Sequence, residues 1–193
     1  GLVARHAQAE TAAAFLVAEG YCRIGIDHFA LPDDALARAA RQGGLRRNFQ
    51  GYTVDPADAL IGLGASAIAQ LPQGYLQNET AIGRYRQRVE AEGLAVSRGF
   101  ALGAEDRMRA HAIERLMCDL EFSTRALRGR FGPAADALAA EAREMVAADD
   151  EGLVAATADG FTVTERGRPF VRTIAARFDA YLGAGAARHS APV

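Results

Sequence analysis

Apolar residues recur at helical spacing in both halves of the chain, with strand-like and irregular stretches between them. Over residues 7–19, Ala14, Phe15 and Ala18 share one face and Gly20 supplies a stop, so a helix is expected. Residues 21–29 read as a short buried strand with a polar end. The next helix is signalled by Asp33 as a cap after Pro32, by inward Leu36 and Ala40, and by Gly43 at its end. Helix, strand and helix in that order form an α/β alternation. Residues 71–78 have little periodicity and read as a loop. Asn78 or Thr80 then caps a helix whose stripe is Ile82, Tyr85 and Val89 and whose stop is Gly93. Residues 94–102 are extended and mark a crossing between two domains, 1–96 and 97–193.

The second half is more strongly periodic. Met108, Ala112, Ile113, Leu116, Met117 and Leu120 form one face of a helix over residues 105–120. Ser123 caps a short helix ending near Phe131, which Gly132-Pro133 breaks. A further helix over 133–148 turns Leu138, Met145 and Val146 inward. Residues 153–164 read as a hairpin about an Asp159-Gly160 turn. Thr164 caps a last helix carrying Phe170, Ile174, Phe178 and Tyr181, and residues 184–193 form a frayed tail. Three helices, a hairpin and a helix make a helical, winged-helix-like module.

Composition narrows the function. The 193 residues suit one domain or two small ones; half are hydrophobic and 24% are charged, as in a globular chain. A net charge of −2 provides no general attraction to nucleic acid or an anionic membrane. All cations other than histidine are arginine, which fits a biased genome. Cys22 and Cys118 stand far apart and form neither a disulfide framework nor a zinc or cluster motif, so a reduced, cytoplasmic setting is expected. No apolar run reaches the ~18 residues of a membrane span, and no signal peptide opens the chain. Gly1-Leu2-Val3 enters a helix without an initiator methionine, which suggests a piece of a longer protein.

The segment 43–68 concentrates the candidate chemistry. Arg46, Arg47, Asn48 and Gln50 lie among Phe49 and Tyr52, and the apolar run 60–68 is cut by Gly62 and Gly64. Two glycines in such a run argue against ordinary helix and for a close backbone approach. Guanidinium groups, amides and an open backbone together suit a polar, anionic ligand. Arg46 and Arg47 either clamp carboxylates or are solvated surface residues. Gly62-x-Gly64-x-x-Ala67 is either a nucleotide-binding fingerprint or a close helix–strand contact, and it lacks a clear βαβ frame. Asp27 and His28 either sit on a catalytic rim at the end of a parallel strand or hold the next loop. His6, His111 and His189 show no ligand spacing. A winged helix invites a DNA-binding reading, but Asp136, Glu141 and Glu144 oppose phosphate on the helix that would enter a groove.

Residues 46–53 (Arg-Arg-Asn-Phe-Gln-Gly-Tyr-Thr) and the run 60–68 strongly resemble the oxygen-independent coproporphyrinogen III oxidase family. So do Ile24-Gly-Ile-Asp-His-Phe-Ala30, Leu31-Pro-Asp-Asp34, Tyr75-Leu-Gln-Asn78, Arg98-Gly-Phe-Ala-Leu102, Glu114-Arg-Leu-Met-Cys-Asp119 and Thr164-Glu-Arg-Gly-Arg168. The resemblance runs in order along nearly the whole chain. It separates the chain from haem-chaperone paralogues, which carry a His-Asn-x-x-Tyr-Trp type motif. It implies an α/β fold followed by a mainly helical part: the last strands and helices of a partial (β/α) radical S-adenosylmethionine barrel, then the winged-helix-like domain. It also implies a [4Fe-4S] cluster and S-adenosylmethionine in the full-length protein, and conversion of coproporphyrinogen III to protoporphyrinogen IX. Ile68 matches a contact to a second S-adenosylmethionine. Phe49 and Gln50 match the motif beside that site, Gly64 would let the backbone approach it, and Arg47 would bind substrate. The family's Cys-x-x-x-Cys-x-x-Cys-type motif does not occur in this sequence. The piece is therefore expected to bind neither cofactor and to be inactive alone, within a monomeric parent that binds neither nucleic acid nor membrane. The competing expectation is a winged-helix regulatory or binding module without enzyme activity.

Overall fold

A computed structural model describes residues 1–182, and the expected tail at 184–193 lies outside them. The elements run α1 Leu2–Ala18, β1 Cys22–Ile24, β2 His28–Ala30, α2 Ala35–Gln42, β3 Arg46–Asn48, β4 Gly51–Thr53, β5 Ile68–Leu71, β6 Gly74–Asn78, α3 Ile82–Glu92 and β7 Val96–Ala101. They continue α4 Ala104–Asp119, β8 Glu121–Ser123, α5 Thr124–Phe131, α6 Ala135–Ala147, β9 Val154–Thr157, β10 Gly160–Val163 and α7 Val171–Ala176, with short 3₁₀ turns at Gly132–Ala134 and Arg168–Phe170. The fold is α/β with small sheets, and every pair of named strands among the described residues is antiparallel.

The chain divides into two compact units, residues 1–54 with those from 108 onward, and residues 55–107. The point between residues 96 and 97 falls inside β7 of the smaller unit. That unit holds the sheet β5-β6-β7 and α3. No residue of α3 is buried: Ile82 is 78% exposed and Val89 38%, so the expected inward stripe is corrected. Five of its eleven residues are charged and only Ile82, Tyr85, Val89 and Ala91 carry apolar side chains, too little to cover a core face. Residues 71–78, expected as loop, form most of the β5–β6 hairpin around Pro72-Gln73, a short turn that periodicity does not register.

The larger unit has two apolar clusters. In the first, Phe122, Phe161 and Phe178 stack with centroids 5.1–6.5 Å apart, and α4, α5, α6 and α7 contribute Leu116, Leu127, Leu138 and Val171. The helical spacing of α4 is borne out by Met108, Ala112, Leu116 and Met117, all buried. Ser123 caps α5 by accepting from the Ala126 amide at 3.1 Å. The hairpin turn is Ala158-Asp159, one residue before the expected pair, because Gly160 already pairs with Thr157. The Asp159 carboxylate stays there by accepting from the Ser123 hydroxyl and the Arg125 amide.

The second cluster joins Ile24, Ala30, Ala37, Leu45 and Tyr52 to Cys118 of α4. Here residues 21–29 form a hairpin rather than one strand. Gly25, at φ 56°, opens the turn after β1, so the expected parallel strand is corrected. Asp34, one residue beyond the expected cap, accepts from the Leu36 amide at 2.8 Å. In α1 Ala13 is buried, while Phe15 on the expected face is 63% exposed.

Tyr52 ties these parts together. Its hydroxyl donates to the Met117 carbonyl at 2.8 Å and accepts from the Ile26 amide at 3.3 Å. Burial raises the phenol above its ordinary pKa, which the nearby Arg47 partly offsets, so it remains a donor at neutral pH. Tyr52→Phe is expected to lower stability by about 1–3 kcal/mol, because a buried carbonyl loses its donor. Denaturant melts of parent and variant test this, and coincident midpoints would contradict it.

Candidate functional site

The first candidate segment is the hairpin β3–β4. Asn48 pairs with Gly51, so Phe49 and Gln50 form its two-residue tip. The Asn48 carboxamide oxygen accepts from the Gln50 amide at 2.8 Å, and Gly51 provides φ 135°. This is why Asn and Gly flank the tip. Phe49 is 53% exposed, and Gln50 is exposed.

The two arginines do not act alike, because neighbouring strand residues point to opposite faces. Arg46 lies 3.4 Å from a Glu114 carboxylate oxygen. That same oxygen accepts from the Arg47 amide at 3.3 Å. The Arg47 guanidinium carbon lies 4.7 Å from the centre of the Tyr52 ring, a cation–π contact with its cross-strand partner. Its Nη1 is buried without a hydrogen-bond partner. Such an orphaned donor is costly in the protein alone and fits an incoming carboxylate.

The glycine run lies in the smaller unit. A methyl group on Gly62 would come within 2.7 Å of the Ile68 backbone, so Gly62 is the point of close approach. A methyl group on Gly64 would meet nothing within 4 Å, although its φ of 104° disfavours side chains. The Asn78 side-chain amide donates to the carbonyls of Gly62 and Gly64 at 3.1 and 3.0 Å. The Gly64 amide donates to the Tyr85 hydroxyl at 3.2 Å. The fingerprint reading is corrected: the run leads into strand β5, no helix N-terminus follows it, and its glycine groups already have partners. Ile68 opens β5 opposite Gln77, half-buried. Ile61 and Leu63 are 65% and 87% exposed.

Asp27 and His28 bond to each other, Oδ1 to Nδ1 at 2.8 Å, at the β1–β2 turn. With no parallel strand there, the reading of the pair as a barrel rim gives way to the loop-holding one. Sequence reasoning missed a pocket of about 240 Å³ in which His111, Arg115, Asp119, Glu121 and Ser123 lie beside the apolar Phe122 and Leu127. Its residues come from α4, β8 and α5 with its cap, which no local motif connects. Burial, with Arg130 and Arg115, lowers the pKa of His111, while burial raises that of Asp119. Among the described residues no group of three or more His, Cys, Asp or Glu side chains could hold a metal ion. Burial pushes the Cys118 thiol up to about 12, unsuited to thiolate ligation. On α6, Glu141 is held by Arg109 at 2.7 Å and Asp136 by Arg128 at 2.6 Å.

Comparison with known proteins gives the affiliation. Residues 102–170 match the family model of the HemN C-terminal domain. The chain is 44% identical over 98% of its length to the oxygen-independent coproporphyrinogen III oxidase of Bradyrhizobium diazoefficiens, and covers 42% of that protein. It is 48% identical over 95% of its length to the protein of that name from Paracoccus denitrificans, and covers 40% of it. A solved structure, coproporphyrinogen III oxidase (HemN) from Escherichia coli, described as a radical SAM enzyme, matches 89% of this chain. It does so with a TM-score of 0.83 and 38% identity, and 40% of that protein is covered. Fold and sequence thus agree in placing the chain beside proteins of this name. The chain belongs to the oxygen-independent coproporphyrinogen III oxidase family and spans about two fifths of these relatives.

The two glycines are expected to respond differently to a methyl group. Gly62→Ala must push Ile68 aside, at about 1–3 kcal/mol, and speed amide exchange along the β5–β6 pairing. Gly64→Ala is expected to cost about 1–2 kcal/mol through its backbone angle alone, leaving that pairing protected. Exchange measured by mass spectrometry separates them, and normal protection in Gly62→Ala would remove the close approach from the account.

Proposed function

We propose that the protein of which this chain is a part oxidatively decarboxylates coproporphyrinogen III to protoporphyrinogen IX in haem biosynthesis. The observation that carries this is identity of 44–48% to oxidases of that name across nearly the whole chain. In this reading Ile68, Gly64, Phe49 and Gln50 contact S-adenosylmethionine, and Arg47 binds a substrate propionate. In the smaller unit the half-buried Ile68 side chain and the open space at the Gly64 α-carbon suit an apolar contact with such a cofactor; in the larger unit Phe49 and Gln50 stand exposed at a hairpin tip. When bound, S-adenosylmethionine supplies hydrogen abstraction from the propionate chain. Loss of carbon dioxide, with one electron passing to an external one-electron acceptor, would then leave a vinyl group. The role of Arg47 is to hold a carboxylate at the orphaned Nη1. A [4Fe-4S] cluster does not fit the described residues, with one half-buried and one fully buried cysteine, and no step through it is assigned to them.

The proposal includes a partial (β/α) barrel with residues 1–96 as its last part and a C-terminal domain from residue 97. The beginning of the family match at residue 102 supports that division. It also includes a winged-helix-like arrangement of the C-terminal domain, supported by the order α4-β8-α5-α6-β9-β10 and the sheet β8-β10-β9. Nucleic acid and membrane are not partners in this reading, which a net charge of −2 supports. No helix among the described residues is long and apolar enough to cross a membrane. A monomer in the cytoplasm completes the proposal.

The test is anaerobic turnover of the full-length protein with coproporphyrinogen III, S-adenosylmethionine and a reductant, with chromatography of the products. Protoporphyrinogen IX is the expected product, and a cofactor-loaded protein that leaves the substrate intact would overturn the proposal. Ile68→Ala is expected to lose an apolar contact of ~1–3 kcal/mol and to raise KM for S-adenosylmethionine at unchanged melting temperature. An unchanged KM would remove Ile68 from the site.

A further inference from the structure

The exposed pair Asp27–His28 has no role in the function proposed above, yet its geometry is specific. An ionised carboxylate only accepts hydrogen bonds, so the 2.8 Å contact fixes the proton on His28 Nδ1 and sets the ring orientation. The opposite edge of the ring faces the β3–β4 hairpin. A methyl group on Gly51 would come within 3.2 Å of His28 Nε2 and 3.5 Å of Cε1, so the imidazole rests against the residue that follows the Phe49–Gln50 tip. The ring also packs edge-on against Tyr52, with centroids 5.0 Å apart and planes at 81°. Tyr52 is anchored to Met117 and Ile26. From the other side the tip has Asn48 bonded to the Gln50 amide. A side chain 41% exposed, held by one carboxylate and pressed on a glycine, is an unusual way to fill a turn. Packing alone would be served by an apolar residue without a partner.

We propose that Asp27 and His28 are positioning residues: Asp27 orients His28, and His28 fixes the Phe49–Gln50 tip in the geometry that meets S-adenosylmethionine. This rests on the assignment of Phe49 and Gln50 to that cofactor. Neither Asp27 nor His28 touches it. Their effect is on how much of the protein holds the tip in its binding geometry, and so on cofactor affinity rather than on the chemical step.

The experiment uses the full-length protein with cluster installed. It combines calorimetric titration with S-adenosylmethionine, hydrogen exchange over residues 46–53, turnover and melting temperature. His28→Ala is expected to weaken cofactor binding about tenfold, to speed exchange at the Gln50 and Gly51 amides, and to leave kcat at saturating cofactor within about twofold. Asp27→Ala, a surface change, is expected to shift binding and exchange in the same direction by less. Asp27→Asn keeps an acceptor for Nδ1 and is expected to restore both. Normal binding and normal exchange in His28→Ala, while Phe49→Ala or Gln50→Ala binds weakly, would overturn the positioning role. Normal binding in both Phe49→Ala and Gln50→Ala would overturn the cofactor assignment instead. Exchange at the tip would then decide separately whether His28 orders it. A loss confined to melting temperature would mark the pair as structural and also overturn the inference.

Discussion

The larger unit depends on one phenol. Tyr52 is 8% exposed and sits where three stretches of backbone converge, on Gly25, on Met117 and beside its own strand partner Arg47. A Cβ on Gly25 would overlap its hydroxyl, which explains a glycine at that turn better than the backbone angle alone. Its ring is also the surface on which both Arg47 and His28 lie. The side chain that closes the second apolar cluster therefore also supports the polar residues around the hairpin tip. Arg168 reinforces the same corner by donating to the Gly25 carbonyl at 3.1 Å.

Much of the second half was legible because its signals are local. The stripe from Met108 to Met117, the Ser123 cap, the Gly132-Pro133 break and the turn near Asp159 each depend on neighbours within a few residues. The first half was read less well because its first four strands are only three residues long. Three residues cannot establish a period of two, and their pairing is set by Gly25, Asn48 and Gly51 rather than by apolar alternation. The α3 stripe failed for a different reason. Helical periodicity marks a face that can be buried, but it does not supply the surface that buries it.

The candidate residues could be picked out along the chain, but their arrangement could not. Arg47, Phe49 and Gln50 were singled out by their company, and the structure gathers them in one hairpin. The division of labour between Arg46 and Arg47 could not be read, since it depends on Glu114 and Tyr52. At the glycines the expectation of close approach was right about the run, but the contact belongs to Gly62 rather than Gly64. The contact of His28 with Gly51 left no trace in the sequence, because it joins the turns of two hairpins.

The sharing of one core between residues 1–54 and α4 bears on how the chain is made. Tyr52 waits for Met117, 65 positions later, before its hydroxyl finds its acceptor. At ~5–20 residues per second of synthesis, that delay is roughly 3–13 seconds. During it Ile24, Ala37 and Leu45, all at most 1% exposed in the finished structure, have no α4 to close over them. Until α4 is made, the apolar surface of this cluster lacks the helix that closes it in the finished structure.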